Sequence, residues 1–229
     1  MQMVWMPPAA RFGLLHRGRG GSGQALEATS RAGATRLLVV EVKETEVPGA
    51  LLLHPRAFPD GRGFFCETFR ASELAQHGVT ESFVQDNHSR SGRGVVRGLH
   101  FAIGGGSSKL VRCARGVIWD VIVDLRSGSP SYGRWQAFEL SDDNMRTLYI
   151  PVGCAHGFCV LSEVADVVYK QSDYFDPAVE RGIAWDDPDV AVRWPLAKEE
   201  LSVSERDGSA PLLSEIADSL PFTFTAPSA

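Results

Sequence analysis

Val117-Ile118-Trp119-Asp120-Val121-Ile122-Val123-Asp124 is the stretch whose reading decides the fold. Side chains alternate across a strand, so Val117, Trp119, Val121 and Val123 would share one face and Ile118, Asp120, Ile122 and Asp124 the other. The run is β-branched and aromatic, and Ser127-Gly128-Ser129-Pro130 closes it with turn chemistry. A strand with acids interleaved among the apolar residues of one face implies a partly polar interior, as in a strand-lined ligand cavity.

Working outward, short runs of Val, Ile, Phe, Tyr and Trp recur at 63–70, 82–87, 95–101, 109–114, 135–140, 147–151, 157–161 and 167–174. Gly, Pro, Ser and Asp separate them at the spacing of an antiparallel sandwich or barrel. Helix is scarce. Ser72 predicts the cap of a short turn ending at Gly78, and Pro211 at a first helical position predicts a helix over 212–220. The expectation is an all-β fold, a jelly roll or β-sandwich with a short helical C-terminal region, spanning 37–222 and followed by a tail at 223–229.

The 229 residues suit one domain plus an extension, and a chain 44% hydrophobic and 22% charged carries a core, which excludes a wholly disordered class. A net charge of −5 offers no electrostatic footprint for nucleic acid, and no apolar run approaches the roughly 18 residues of a membrane helix. The four cysteines, 66, 113, 154 and 159, include no C-x-x-C pair, so neither a disulfide framework nor a zinc ribbon is predicted. A reduced, cytoplasmic chain is the simplest reading. The first 40 residues hold five arginines and one acid, so they carry +4 and leave −9 on the remainder. Residues 1–36 are therefore expected to be a disordered extension; their Arg-rich, acid-poor character faintly resembles a transit peptide, and Met3 and Met6 allow a later start. Gly18-x-Gly20-x-x-Gly23 matches a dinucleotide-binding pattern, but no series of βα units follows to support it.

Histidines lead the search for chemistry, because imidazole is the usual proton shuttle and metal ligand. Of the six (16, 54, 77, 88, 100 and 156), His100 ends Arg97-Gly98-Leu99-His100 on a predicted strand, nine residues before Lys109. His156 is delivered by the turn Pro151-x-Gly153-x-x-His156, which resembles the second signature segment of cupin barrels. Metal-binding cupins carry His-x-His and a nearby glutamate in the first segment. Here Ala102 and Gly104-Gly105-Gly106-Ser107-Ser108 supply neither. Two imidazoles fall short of the three or four protein ligands of a stable site, so no metal is expected, and a metal-dependent cupin oxygenase is a weaker alternative.

One ordered set of motifs is more specific. It comprises Arg62-Gly63-Phe64-Phe65-x-Glu67, Gln85-Asp86-Asn87-His88-Ser89, Arg97-Gly98-Leu99-His100-Phe101, Asp120-x-x-x-Asp124, Gly128-Ser129-Pro130, Pro151-x-Gly153-x-x-His156-Gly157-Phe158 and Trp185-Asp186-Asp187-Pro188. Over about residues 40–217 the chain resembles the dTDP-4-dehydrorhamnose 3,5-epimerase family of cofactor-free cupins. The resemblance implies a homodimeric jelly roll acting on a dTDP-linked 4-keto-6-deoxyhexose, on the route to dTDP-L-rhamnose. A C4 ketone acidifies the hydrogens on C3 and C5, and inversion needs a base on one face, an acid on the other and a donor at the enolate oxygen. By resemblance, His100 is the base, Tyr169 the opposite-face acid, Lys109 the enolate stabiliser and Asp207 the partner of the base. Arg62 and Arg97 would offer fork donors, and Glu67, Gln85, Asn87, His156 and Glu180 would hydrogen-bond base, ribose or hexose. Phe175 stands where an aromatic stacks on thymine, Phe65 serves as contact or packing, and Arg206 replaces a common lysine. The loop 102–108 departs from the family pattern. A C3-only or C5-only epimerase, a ketoisomerase of another dTDP-keto sugar and a non-catalytic sugar-binding cupin remain alternatives.

Overall fold

A computed structural model describes residues 40–226. The extension expected over 1–36, its glycine motif and the last three residues lie outside them.

Strand formation follows the turn-punctuated apolar runs: β1 (Val40–Glu44), β2 (Leu51–Pro55), β3 (Ala57–Asp60), β4 (Gly63–Cys66), β5 (Gln85–Gly92), β6 (Val95–Ala102) and β7 (Lys109–Arg115). After them come β8 (Val117–Asp124), β9 (Trp135–Ser141), β10 (Thr147–Ile150), β11 (Cys154–Val160), β12 (Val164–Gln171), β13 (Glu180–Gly182) and β14 (Ser202–Val203). One sheet runs β1-β2-β10-β7-β12-β5; the other runs β13-β6-β11-β8-β9, with β14 also beside β6, and β3-β4 is a separate hairpin. Neighbours distant in sequence, such as β2 with β10 and β12 with β5, give the crossovers of a jelly roll.

β8 alternates as its sequence demands. Ile118 and Ile122 meet Val111, Leu148 and Val167 of the facing sheet, and each such buried aliphatic contributes about 1.5–3 kcal/mol of transfer free energy. Trp119, Val121 and Val123 face the other way, under Ile183, Leu213 and Phe222. On the far side of the first sheet, Leu51, Leu53, Leu110 and Tyr149 are covered by Leu74 and Val79, around the short helix α1 (Ala71–Leu74).

Four local expectations change. The run expected at 82–87 is a longer strand beginning at Gln85, because Gln85, Asn87, Ser89 and Ser91 alternate inward against exposed Asp86, His88 and Arg90. The run expected at 63–70 ends as a strand at Cys66. Ser72 lies inside α1 rather than capping it; the cap position is Arg70, while Gly78, at φ 83°, terminates the following 3-10 turn in the left-handed region as expected. Near the C-terminus, α2 (Glu205–Gly208) precedes α3 (Leu213–Ile216), which starts two residues after Pro211 and continues only as a 3-10 turn. The Pro211 carbonyl instead accepts a hydrogen bond from the Ala184 N–H. Thr223 bridges Ser127, and Phe224 N–H donates to the Ser127 carbonyl, so the chain remains docked past Phe222.

Candidate active site

The apolar core fills the sandwich under β7, β8 and β10, whereas toward β5 and β6 the interior opens into a cavity of about 510 Å³. One wall, from β5, β7 and β12, presents Ser89, Lys109, Tyr169 and Gln171. The facing sheet contributes Arg97 and His100 on β6, His156 and Phe158 on β11 and Glu180 on β13; Phe175, Arg206 and Asp207 also line it.

β6 and β11 approach closely enough to set His100 directly opposite His156 in register. Glycine permits this: a Cβ on Gly98, whose φ is +120°, would lie 2.5 Å from the Gly157 Cα, and one on Gly157 would lie 2.6 Å from the Arg97 carbonyl. Each imidazole is backed by a carboxylate from a different element. His100 Nε2 is 2.7 Å from Asp207 Oδ1, and the Gly98 N–H donates to Asp207 Oδ2 at 3.1 Å. Asp207 is itself placed by the first turn of α2, where Ser204 Oγ accepts from the Asp207 N–H. Burial pushes the Asp207 carboxyl up, but the hydrogen bond and charge of His100, the Gly98 N–H and Arg206 outweigh it, leaving the group below the ordinary carboxylate value. His156 Nε2 lies 2.8 Å from Asp120 Oδ1; Asp120 is 0% exposed, and its Oδ2 has no partner among the described residues.

Opposite these pairs stand Lys109 and Tyr169. Lys109 is the inward first residue of β7, in register with Gln171, and no carboxylate pairs with it within ion-pair distance among the described residues. Burial pushes its amine down, and the charges of Glu180 and Asp120 oppose the shift. Tyr169, two residues from Gln171 on the same face, has its phenol pushed up by burial and by Glu180, against Arg97. Arg97 donates from Nε to Ser91 Oγ at 3.0 Å and otherwise faces the cavity.

The remaining expected contacts divide in two. Gln85 and Asn87 stand behind the cavity: Gln85 donates to Asn87 Oδ1, Asn87 donates to Gln171 Oε1, and the Phe175 N–H donates to Gln85 Oε1. Arg62, Phe65 and Glu67 do not reach this chain's own cavity. Arg62 pairs with Asp60 at the tip of the β3–β4 hairpin, Phe65 is 70% exposed and Glu67 pairs with Arg70. Asp124, the second acid of β8, also serves elsewhere: it accepts from the Arg126 guanidinium and from the hydroxyls of Ser129 and Ser131, fixing the following loop.

Several site residues were not singled out from the sequence. Asp120 was legible as an inward acid of β8, but nothing there linked it to His156. Gln171 follows from period two once Tyr169 is placed. Ser91 and Ser204 leave no sequence signal beyond their polarity. Among the described residues, no group of three or more His, Cys, Asp or Glu side chains is arranged to hold a metal ion.

Comparison with known proteins bears on this geometry. Residues 44–215 match the family model for dTDP-4-dehydrorhamnose 3,5-epimerase. A dTDP-4-dehydrorhamnose 3,5-epimerase of Pseudomonas aeruginosa is 50% identical over 167 residues, covering 72% of this chain and 92% of that protein. Its counterpart from Escherichia coli K12 is 48% identical over 159 residues, covering 68% and 85%. Among solved structures, a dTDP-6-deoxy-D-glucose-3,5-epimerase from Legionella pneumophila, in complex with dTDP-4-keto-L-rhamnose, superposes with a TM-score of 0.79 at 41% identity, covering 82% of this chain and all of that one.

Proposed function

The chain belongs to the dTDP-4-dehydrorhamnose 3,5-epimerase family, and from that premise we propose that its cavity inverts C3 and C5 of a dTDP-4-keto-6-deoxyhexose through an enolate. One observation carries the assignment of roles: His100 and Tyr169 project into the same cavity from opposite sheets. A hexose between the sheets meets a base on one ring face and an acid on the other, as inversion requires.

In this reading His100 takes the proton from C3 or C5. Its Nε2 is engaged with Asp207, which leaves Nδ1 to act as base. The C–H electron pair moves into the ring and onto the C4 oxygen, next to Lys109, where the carboxylates Glu180 and Asp120 favour the ammonium. Tyr169 O–H then gives its proton to the carbon from the other side, and solvent resets phenolate and imidazolium. The proton count and oxidation level of the sugar are unchanged, so the step needs no redox group. Arg97 and Arg206 suit the diphosphate, and Phe175 offers a face to the thymine.

A homodimer belongs to the same proposal. Arg62, Phe65 and Glu67 lie on or just after a hairpin outside both sheets, and it exposes Phe64 and Phe65. A second copy would give these side chains a cavity to reach and cover their apolar surface. We also place the chain in the cytoplasm, a compartment that suits its four free cysteines.

The deciding experiment is proton NMR of dTDP-4-keto-6-deoxyglucose with the enzyme in D2O, following C3 and C5 separately. Tyr169→Phe, which keeps the ring and removes the acid, should still admit deuterium at these carbons but with retained configuration. An equal fall of exchange and inversion in that variant would show that Tyr169 is not the opposite-face acid. Exchange at only one carbon in the unmodified enzyme would make it a single-centre epimerase.

A further inference from the structure

The inward face of β5 is polar throughout, Gln85, Asn87, Ser89 and Ser91, in a position where a sandwich strand normally supplies core. Gln85 and Asn87 are tied into the Gln171 network, and Ser91, further along the same face, is buried and accepts from Arg97 Nε at 3.0 Å. Arg97 has no carboxylate partner among the described residues, although an arginine at a cavity wall would ordinarily collapse onto one. The serine engages Nε and leaves the two terminal nitrogens without a hydrogen-bond partner among the described residues. A guanidinium that lines the cavity with both terminal nitrogens unengaged can offer them to an anion in the fork geometry that matches phosphate.

We propose that Ser91 is a positioning residue for sugar-nucleotide recognition: it orients the Arg97 fork toward the diphosphate and sets how strongly the phosphates contribute to binding. The inference rests on the sugar-nucleotide reading above and names a residue acting through Arg97, not one touching substrate. A hydroxyl acceptor is better suited than a carboxylate to this task, because it fixes the ring of donors without neutralising the charge the phosphates must meet.

The test is titration calorimetry of the intact protein with dTDP and with thymidine, alongside steady-state kinetics. Ser91→Ala keeps Arg97 and its charge but removes the acceptor that fixes the guanidinium, so dTDP should bind about three- to tenfold more weakly while thymidine binding is unchanged. KM for the dTDP-sugar should rise with kcat within about twofold, the signature of a lost uniform binding interaction. Arg97→Ala should lose more, the double variant should bind dTDP no worse than Arg97→Ala alone, and Ser91→Thr should restore binding by returning the hydroxyl. The assignment is overturned if Ser91→Ala leaves dTDP affinity intact, weakens thymidine equally, adds its full effect to that of Arg97→Ala, or fails to fold. Unmodified protein that binds no dTDP would instead overturn the sugar-nucleotide reading, and this assignment with it.

Discussion

Asp207→Asn should be more damaging to catalysis than Asp207→Ala, although asparagine is the closer mimic. Asp207 accepts two hydrogen bonds, one from the Gly98 N–H and one at His100 Nε2. The backbone N–H can only donate, so it claims the amide oxygen of an asparagine and turns the NH2 toward His100. Imidazole can then satisfy that donor only by presenting a bare Nε2, which moves its proton to Nδ1, the nitrogen that must be free to take the proton from carbon. Loss of the charged hydrogen bond contributes about 1.5–3 kcal/mol, roughly 10- to 150-fold in rate. The wrong tautomer adds to this; in Ser-His-Asp enzymes the same exchange lowers kcat about 10⁴-fold. We expect a fall of about 10²–10⁴ in kcat for Asp207→Asn, and about 10- to 150-fold for Asp207→Ala, which imposes no tautomer. The assay is deuterium entry at C3 and C5 under saturating substrate, with melting temperature as a control for folding. An Asp207→Asn enzyme within about threefold of the unmodified rate, or faster than Asp207→Ala, refutes the argument.

Lys109 must stay an ammonium and its amine is lowered by burial, whereas the Tyr169 phenol is raised by burial and by Glu180, so the alkaline fall in rate should begin below the ordinary lysine value of about 10.5 and persist in Tyr169→Phe exchange profiles; a fall that disappears in Tyr169→Phe would assign it to the phenol. If the hairpin serves a partner's cavity, mixing inactive Arg62→Ala and His100→Ala chains should recover about a quarter of the unmodified activity after subunit exchange, because half the dimers then hold one intact site; no recovery would place Arg62 in its own chain's site, and an active Arg62→Ala parent would place it outside catalysis. Arg90 and His88 hold the Asp166 carboxyl well below its ordinary value, so its stabilisation is present above the unfolded value near 4 and lost as pH falls through the folded one. The melting temperature of Asp166→Asn should therefore lie below that of the unmodified protein at pH 7, and the gap should close on acidification toward pH 2.

The sandwich was legible because its core strands obey period two in hydrophobicity, and β8 does so residue by residue. β5 escaped in part because its alternation is polar against charged, Asn87 and Ser89 against Asp86 and His88, a contrast that hydropathy does not register. The helical expectations failed at their boundaries. Ser72 and Pro211 carry the right local chemistry, but α1 begins one residue before Ser72, and the Pro211 carbonyl is held by Ala184, a contact that no local rule contains. The expected site residues nearest the chemistry meet in one cavity, whereas the carboxylate behind His156 could not be assigned from sequence. Asp120 and Asp124 share one face, four residues apart, yet one supports an imidazole and the other a loop arginine. Which does which depends on β11 lying beside β8, with Phe158 opposite Asp120 and Cys154 opposite Asp124, and pairing of that range is not written in either segment.

That pairing also explains why a jelly roll suits two-sided proton chemistry. Within one sheet, residues on the same face point the same way, so a base and an acid on neighbouring strands would attack the same side of a flat ring. His100 and His156 are such a pair: directly opposed across β6 and β11, they address one face of anything bound between the sheets. Only the facing sheet can deliver a group to the other side, and it does so through β7 and β12, where Lys109 pairs in register with Gln171 and Tyr169 lies two residues away on the same face. In the proposed mechanism a ring lying flat between the sheets has imidazoles on one side and the side chains of Tyr169 and Lys109 on the other. The spacing of about 10 Å between packed sheets leaves room for one ring and the side chains that flank it. On the proposed mechanism, moving the acid to the sheet that carries His100 would keep every residue type and still abolish inversion, because proton return would then occur on the side from which the proton left.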